Sequence, residues 1–499
     1  MHQRHRSTST AAPRSLAIGQ SKRLRHCAAA AAVAVLVFVG VAVAPGAASA
    51  QDDIAESIQD ALAAAGIRAE DYGLVVRPLG SMGLTLDHNP DVPFNPASTM
   101  KLVTTHAAIG LLGVDYRWVT SVYTNGRVED GTLYGDLVIK GGGDPKLVIE
   151  DLTEIVSKLR AGGLEHIKGD LLIDDSMYEA TADRTPAFDG GDTQPYNVAP
   201  YAALVNFKAT RFILDPRRRR VTLDPPLADV AIENRVKVFN GRCRRKGNGV
   251  HIEEAGTEAK PVIRLVGAVV GACGEQNFYA SVLSHRQFVH GLFKAAWTAA
   301  GGRLDGTTRI VPGAGKGEPY YQWHSPRTLA DVVRDVNKFS NNVMARMLML
   351  QLGAQIVHQP ASVDHGRSIV RQFYGAKKLP MRSLVLENGS GLSREERISA
   401  SDLTEVLLDA ARGPAAATFE ASLPQVGIDG TMRLRLRRDP VAGKAFVKTG
   451  TLNHVKAIAG YVTASSGLKY AVTLLINGPR AERAGKAQDA LLRWVYQNG

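Results

Sequence analysis

Ser98-Thr99-Met100-Lys101, Ser340-Asn341-Asn342 and Lys448-Thr449-Gly450 follow one another along the chain, and together their side chains compose a serine acyl-transfer site. A serine hydroxyl is a poor nucleophile until a base takes its proton, and a lysine three residues on lies one helical turn away on the same face. Lys101 is therefore the candidate base for Ser98. To act as one it must be neutral at working pH, which burial and a second cation nearby, Lys448, would both favour. Ser340 suits a proton relay to the leaving amine, and Asn342 supplies an amide to hold the lysine and a substrate carbonyl. Lys448 and Thr449 suit a substrate carboxylate, and Gly450 keeps the strand open to a ligand backbone. The backbone N–H groups of Ser98 and Thr451 are the natural pair for an oxyanion.

These residues need elements to hold them. Pro96 precedes an apolar run over 98–112 in which Leu102, Val103, Ile109 and Leu112 recur at helical spacing, so Ser98 is expected at a helix N-terminus. Ser340 falls inside helical texture over 328–351, and Lys448 ends a short strand over 445–448. Strands over 457–463 and 470–477 and a helix over 482–497 close the chain, while a helix over 52–65 and a strand over 72–77 open its globular part. Between 118 and 283 the character changes, with strand-like stretches at 133–139, 171–174, 236–239 and 262–270 separated by Gly- and Pro-rich turns. This segment reads as a β-rich insertion, and helical texture resumes over 285–300.

The chain has 499 residues, 45% of them apolar, enough for more than one core. Arg4, Arg6, Arg14, Lys22, Arg23 and Arg25 precede an apolar run from Ala28 to Ala44 that ends at Ala48-Ser49-Ala50. That order describes a secretory signal cleaved before Gln51, the alternative being an uncleaved anchor helix; the protein is thus expected to be exported and periplasmic or cell-wall-facing. The six basic side chains of 1–50, with no acidic ones, account for half of the formal charge of +12, so the mature chain is mildly basic. Arg217 to Arg220, echoed by Arg242, Arg244, Arg245 and Lys246, read as a solvated loop or as a face toward an anionic polymer. No nucleic-acid motif or aromatic interleaving accompanies them, so a nucleic-acid partner is not expected. Cys243 and Cys273 remain after cleavage, and an oxidising compartment favours a bridge between them over two buried thiols.

The three strings resemble the penicillin-binding protein and serine β-lactamase superfamily, and Ser98 and Ser340 stand 242 residues apart, too far for the simpler members. The layout is similar to the D-alanyl-D-alanine carboxypeptidase/endopeptidase family of low-molecular-mass penicillin-binding proteins, with an insertion between the first two motifs. Gly141-Gly142-Gly143-Asp144-Pro145, Asn388-Gly389-Ser390-Gly391-Leu392-Ser393, and Leu423-Pro424 with Gly430-Thr431 agree with it. Relatives often carry Asp where this chain has Asn388, which leaves the charge of that loop open. The resemblance implies an α/β fold, an antiparallel sheet flanked by helices formed by 51–117 and 284–499, with 118–283 as one or two inserted domains. It also implies hydrolysis of peptidoglycan stem peptides through an acyl-enzyme, covalent inhibition by β-lactams, and no cofactor.

Other chemistries fit less well. Gly141 to Gly143 and Gly313-Ala314-Gly315-Lys316 lack the Ser or Thr that completes a phosphate-binding loop, and the histidines and cysteines lack zinc spacing, so no metal is expected. His454 reads as a turn residue, and Ser390, with no lysine three residues on, as part of a loop that shapes the site. A β-lactamase and a non-catalytic wall-binding homologue are the rival readings. The oligomeric state is open.

Overall fold

The computed structural model describes residues 56–180, 188–243, 249–357, 360–379 and 381–499. The expected signal segment and Arg244, Arg245 and Lys246 lie outside them.

The end of the chain supplies a run of strands that alternate in the faces they bury. Ala445–Leu452, Val455–Thr463 and Lys469–Asn477 form an antiparallel meander, extended by Tyr72–Pro78 and Leu86–His88 into a five-stranded sheet. Ile458, Val462, Leu474 and Ile476 pack to one side with Ile58 and Leu62 of the helix Glu56–Ala65 and Leu491, Leu492 and Val495 of Gly485–Asn498. Ala457, Ala459, Tyr461 and Leu475 pack to the other, against the helices Lys101–Leu112, Leu329–Phe339, Asn342–Ile356 and Ala400–Arg412. This body is an antiparallel sheet flanked by helices, the architecture that the resemblance implies for the catalytic part.

Lys101–Leu112 is the central helix of that layer. Its residues from Lys101 to Ile109 are buried all round, which explains why its apolar pattern is not confined to one stripe.

The insertion holds a seven-stranded mixed sheet and two three-stranded sheets. It is not purely β, because Ile149–Ala161 is a helix whose Leu152, Ile155, Val156 and Leu159 enter the same apolar cluster as the strands. Its extent also differs from the expected 118–283. The helix His285–Ala299 places Phe288, Leu292, Phe293 and Trp297 in the insertion's cluster, and Tyr321–His324 pairs with Val119–Glu129. Packing therefore returns the chain to the catalytic body after His324 rather than at 284.

Cys243 and Cys273 form a disulfide with a Cα–Cα separation of 4.9 Å, just beyond the paired ends Phe239 and Val270 of two parallel strands. Arg217, Arg218 and Arg219 form the turn between Thr210–Asp215 and Arg220–Asp224, and these arginines are exposed.

The insertion grips the helix Asn342–Ile356. Met177, Tyr178, Val198 and Leu204 pack on Val343, Met347 and Leu350. Tyr178 donates to Gln351 at 2.8 Å, and the half-buried Arg346 donates to the carbonyls of Val198 at 2.7 Å and Tyr196 at 3.1 Å.

Candidate active site

Ser98 lies in the 3₁₀ turn Ala97–Met100 that leads into Lys101–Leu112, rather than on the α-helix itself. Three residues per turn superimpose positions i and i+3, which sets Lys101 directly over Ser98 with Nζ 3.0 Å from Oγ. Asn95 fastens the entry to this turn. Its Oδ1 accepts from the Ala97 N–H at 2.9 Å, its Nδ2 donates to the Ser393 carbonyl at 2.8 Å, and its backbone N–H donates to Asn477 at 2.7 Å.

Lys101 is fully buried, and its amine has two acceptors besides Ser98: Asn342 Oδ1 at 2.6 Å and the Ser390 carbonyl. Burial, Lys448 and Arg346 hold its pKa well below the ordinary lysine range, against the opposing pull of Glu396. A neutral amine has two protons and one lone pair. With the two protons on Asn342 and Ser390, the lone pair faces the Ser98 hydroxyl.

Ser340 is not inside a helix. Leu329–Phe339 ends there, Ser340 adopts left-handed φ 58° and ψ 39°, and Asn342–Ile356 begins afresh with Asn341 capping it by accepting from the Met344 N–H at 3.0 Å. Asparagine side chains compete for backbone donors and favour such caps, so Asn341 breaks the helical texture at this point. The break turns Ser340 Oγ toward Lys448, whose Nζ donates to it at 2.9 Å. A non-glycine residue in this conformation is one of the places where backbone strain is retained at functional sites.

The strand bearing Lys448 continues to Leu452, past the expected end at 448, so Thr449, Gly450 and Thr451 all lie on it. Lys448 is fully buried, and desolvation lowers its pKa to about 7. The Thr449 hydroxyl meets that of Thr431 at 3.0 Å, a partner supplied by the Gly430-Thr431 string. Thr451 is exposed at the strand's outer end. His454 is a turn residue with φ 65° whose N–H donates to Glu482 at 2.6 Å.

Besides Asn95, sequence reading missed two residues here. Glu396 is fully buried under the 387–390 loop, although Arg394-Glu395-Glu396-Arg397 reads as a surface charge run. It supplies the carboxylate at the loop that Asn388 lacks. Arg394 reaches the insertion, donating to both carboxylate oxygens of Asp189 at 2.7 and 2.9 Å with its guanidinium over the Phe188 ring. No local pattern signals that contact, which spans about 200 residues of sequence.

Residues 51–498 match the D-Ala-D-Ala carboxypeptidase 3 (S13) family. The chain belongs to that family. By that family it is a D-Ala-D-Ala carboxypeptidase, a hydrolase. The D-alanyl-D-alanine carboxypeptidase of Actinomadura sp. (strain R39) is 28% identical over 79% of this chain and 76% of its own length. Penicillin binding protein 4 (dacB) from Haemophilus influenzae superposes with TM-score 0.75 at 22% identity, over 88% of this chain and 99% of that one. The same protein complexed with a β-lactam gives TM-score 0.71 at 21% identity, over 88% of this chain and 99% of that one. The S13 carboxypeptidase has no helix among its described residues long and apolar enough to cross a membrane.

Proposed function

We propose that this carboxypeptidase works through an acyl-enzyme on Ser98, with Lys101 as the base. The observation that carries the reading is the seating of the Lys101 amine between Asn342 Oδ1 and the Ser390 carbonyl, with its remaining contact on Ser98 Oγ. Ser98 Oγ attacks the carbonyl carbon between two D-residues as its proton passes to Lys101 Nζ. The N–H groups of Ser98 and Thr451 receive the oxyanion. The C–N bond breaks as the leaving nitrogen takes a proton through Ser340, which Lys448 can reprotonate. Water then adds to the ester, and the proton path reverses to free Ser98. Lys448 and Thr449 hold the terminal carboxylate of the donor peptide, and Gly450 leaves room for its backbone.

The leaving amine decides the activity. D-alanine as leaving group makes the enzyme a carboxypeptidase, and a cross-linking amine makes it a D,D-endopeptidase; we assign both. A β-lactam would enter as a mimic of the D-Ala-D-Ala terminus and leave a slowly hydrolysed ester on Ser98, in keeping with the β-lactam complex of the H. influenzae protein. Export with cleavage before Gln51 puts the enzyme where its substrate is.

The test is incubation of the protein with pentapeptide monomers and cross-linked muropeptide dimers, with products followed by mass, beside intact-mass detection of a penicillin adduct. Release of D-alanine and conversion of dimers to monomers are expected. Rapid penicillin turnover without D-alanine release would instead make it a β-lactamase, and no adduct with no product would make it a wall-binding homologue.

A further inference from the structure

A buried carboxylate next to a catalytic lysine calls for an explanation, because burial of an acid is costly unless its lone pairs are used. Glu396 has no exposed surface. One oxygen, Oε1, accepts three successive backbone N–H groups, from Glu387 at 3.2 Å, Asn388 at 3.0 Å and Gly389 at 2.8 Å. The other, Oε2, is buried with no hydrogen-bond partner among the described residues. The next residue of the gripped loop is Ser390, whose carbonyl accepts from Lys101. The loop also touches the nucleophile's helix at Gly389, whose carbonyl accepts from Thr104 at 2.6 Å.

We propose that Glu396 is a positioning residue of this site: by gathering the 387–389 N–H groups it fixes the Ser390 carbonyl that turns the Lys101 lone pair toward Ser98. The inference rests on the reading of Lys101 as the base for Ser98. Three donors converging on one carboxylate oxygen define the loop's position far more closely than its two positive-φ glycines, Gly389 and Gly391, could do alone. The carboxylate has a second effect. The charged groups facing Lys101 are Lys448 and Arg346, which disfavour its protonated form, and Glu396, which favours it. Among the described residues Glu396 is thus the anion set against two cations there; burial and Glu387 raise its own pKa, and the three backbone N–H groups pull it back down.

Two substitutions separate anchor from charge. Glu396→Ala removes both, and Glu396→Gln keeps an oxygen that can accept the three N–H groups while removing the charge. In the full-length protein, the rate of acylation by a reporter penicillin is followed across pH, with thermal melts as a check on folding. Glu396→Ala is expected to acylate about tenfold to a hundredfold more slowly, the cost of misplacing a reacting group by about 1 Å. Glu396→Gln is expected to approach the parental plateau rate, with its acid limb displaced to lower pH by about one unit, the smaller end of what a neighbouring opposite charge does. The sign follows from removing the anion that stabilises protonated Lys101. A purely structural role would slow both variants and leave the limb in place. An unmoved limb in Glu396→Gln, or an unimpaired Glu396→Ala, overturns the inference; if Glu396→Ala does not fold, the limb of Glu396→Gln decides alone. A parent that forms no adduct, or a Ser98→Ala variant that still forms one, fails the serine reading instead.

Discussion

A Cβ placed on Gly450 would stand 2.9 Å from the backbone nitrogen of Ser98. That spacing is closer than real Cβ contacts allow, so the strand can lie against the turn that carries Ser98 only because residue 450 has no side chain. A Cβ on Gly391 would likewise meet the Ala97 carbonyl oxygen at 1.9 Å. Two bare backbones thus lie against that turn.

Gly450→Ala should therefore displace the strand and separate the N–H groups of Ser98 and Thr451. We expect acylation by a reporter penicillin to slow by up to about a hundredfold, as for a misplacement of about 1 Å. An unchanged rate constant would remove this strand from the oxyanion site.

Ser98→Ala should abolish both the penicillin adduct and D-alanine release without loss of fold. Lys101→Ala should fail nearly as badly, because groups that act as one unit lose most of the rate together. Intact mass after incubation with penicillin reads the first, and a D-alanine assay the second.

The parts of this site that were legible in sequence are those in which chemistry and element coincide locally. Ser98 and Lys101 share one turn, and Lys448, Thr449 and Gly450 share one strand. Ser340 was legible as a residue but not as a conformation: the run 328–351 looks continuously helical until Asn341 is weighed as a cap. The helix Ile149–Ala161 was legible and passed over, since Leu152, Ile155, Val156 and Leu159 keep helical spacing inside a region judged by its strands. Glu396 could not be found this way, because its burial goes with a loop, 387–389, that folds over it and gives it three backbone N–H groups. The insertion's true extent is hidden for a similar reason: the strand Tyr321–His324 belongs to it through pairing with Val119–Glu129, a partner remote in sequence.

Under the proposed mechanism Lys448 sets a pH limit on the activity. Burial lowers its pKa to about 7, so in the free enzyme its positive charge is lost as pH rises through neutrality. As the proposed base, Lys101 should run the other way, activity rising as it loses its proton on the acid side. For a substrate with a terminal carboxylate, kcat/KM should fall as pH rises past about 7. A bound carboxylate favours charged Lys448, so kcat should hold to higher pH than kcat/KM does. Coincident limbs for the two parameters would mean that Lys448 does not meet the substrate carboxylate.

Thiol counting tests the bridge. Under denaturing conditions without reductant, the full chain should show one free thiol, Cys27, and the chain from Gln51 none. The bridge closes a loop of 30 residues, which in the chain-entropy account stabilises by about 3 to 4 kcal/mol. Reduction should lower the melting temperature of the insertion while leaving the acylation rate close to the parental value, because the bridge tethers strands of the insertion and none of the motif-bearing elements.

Thr449 and Thr431 offer the sharpest test of how substrate is held. Their hydroxyls are 3.0 Å apart, one on the strand that carries Lys448 and the other on the 3₁₀ turn Gly430–Met432. With each hydroxyl able to donate once, one donation can run between the threonines while the other is left for a ligand. Thr449→Val keeps the shape and removes a donor. A hydrogen bond to a charged group is worth about 1.5 to 3 kcal/mol, so kcat/KM for D-Ala-D-Ala substrates should fall by roughly tenfold or more. An analogue with an amidated terminus should be poor with the parent enzyme and lose much less on Thr449→Val. Thr431→Val should produce a smaller loss with the same substrate dependence, because it takes away the orienting partner and leaves the donor on Thr449. Equal losses for the acid and the amide would show that the Thr449 hydroxyl does not bind the carboxylate, even with Ser98 correctly assigned as the nucleophile.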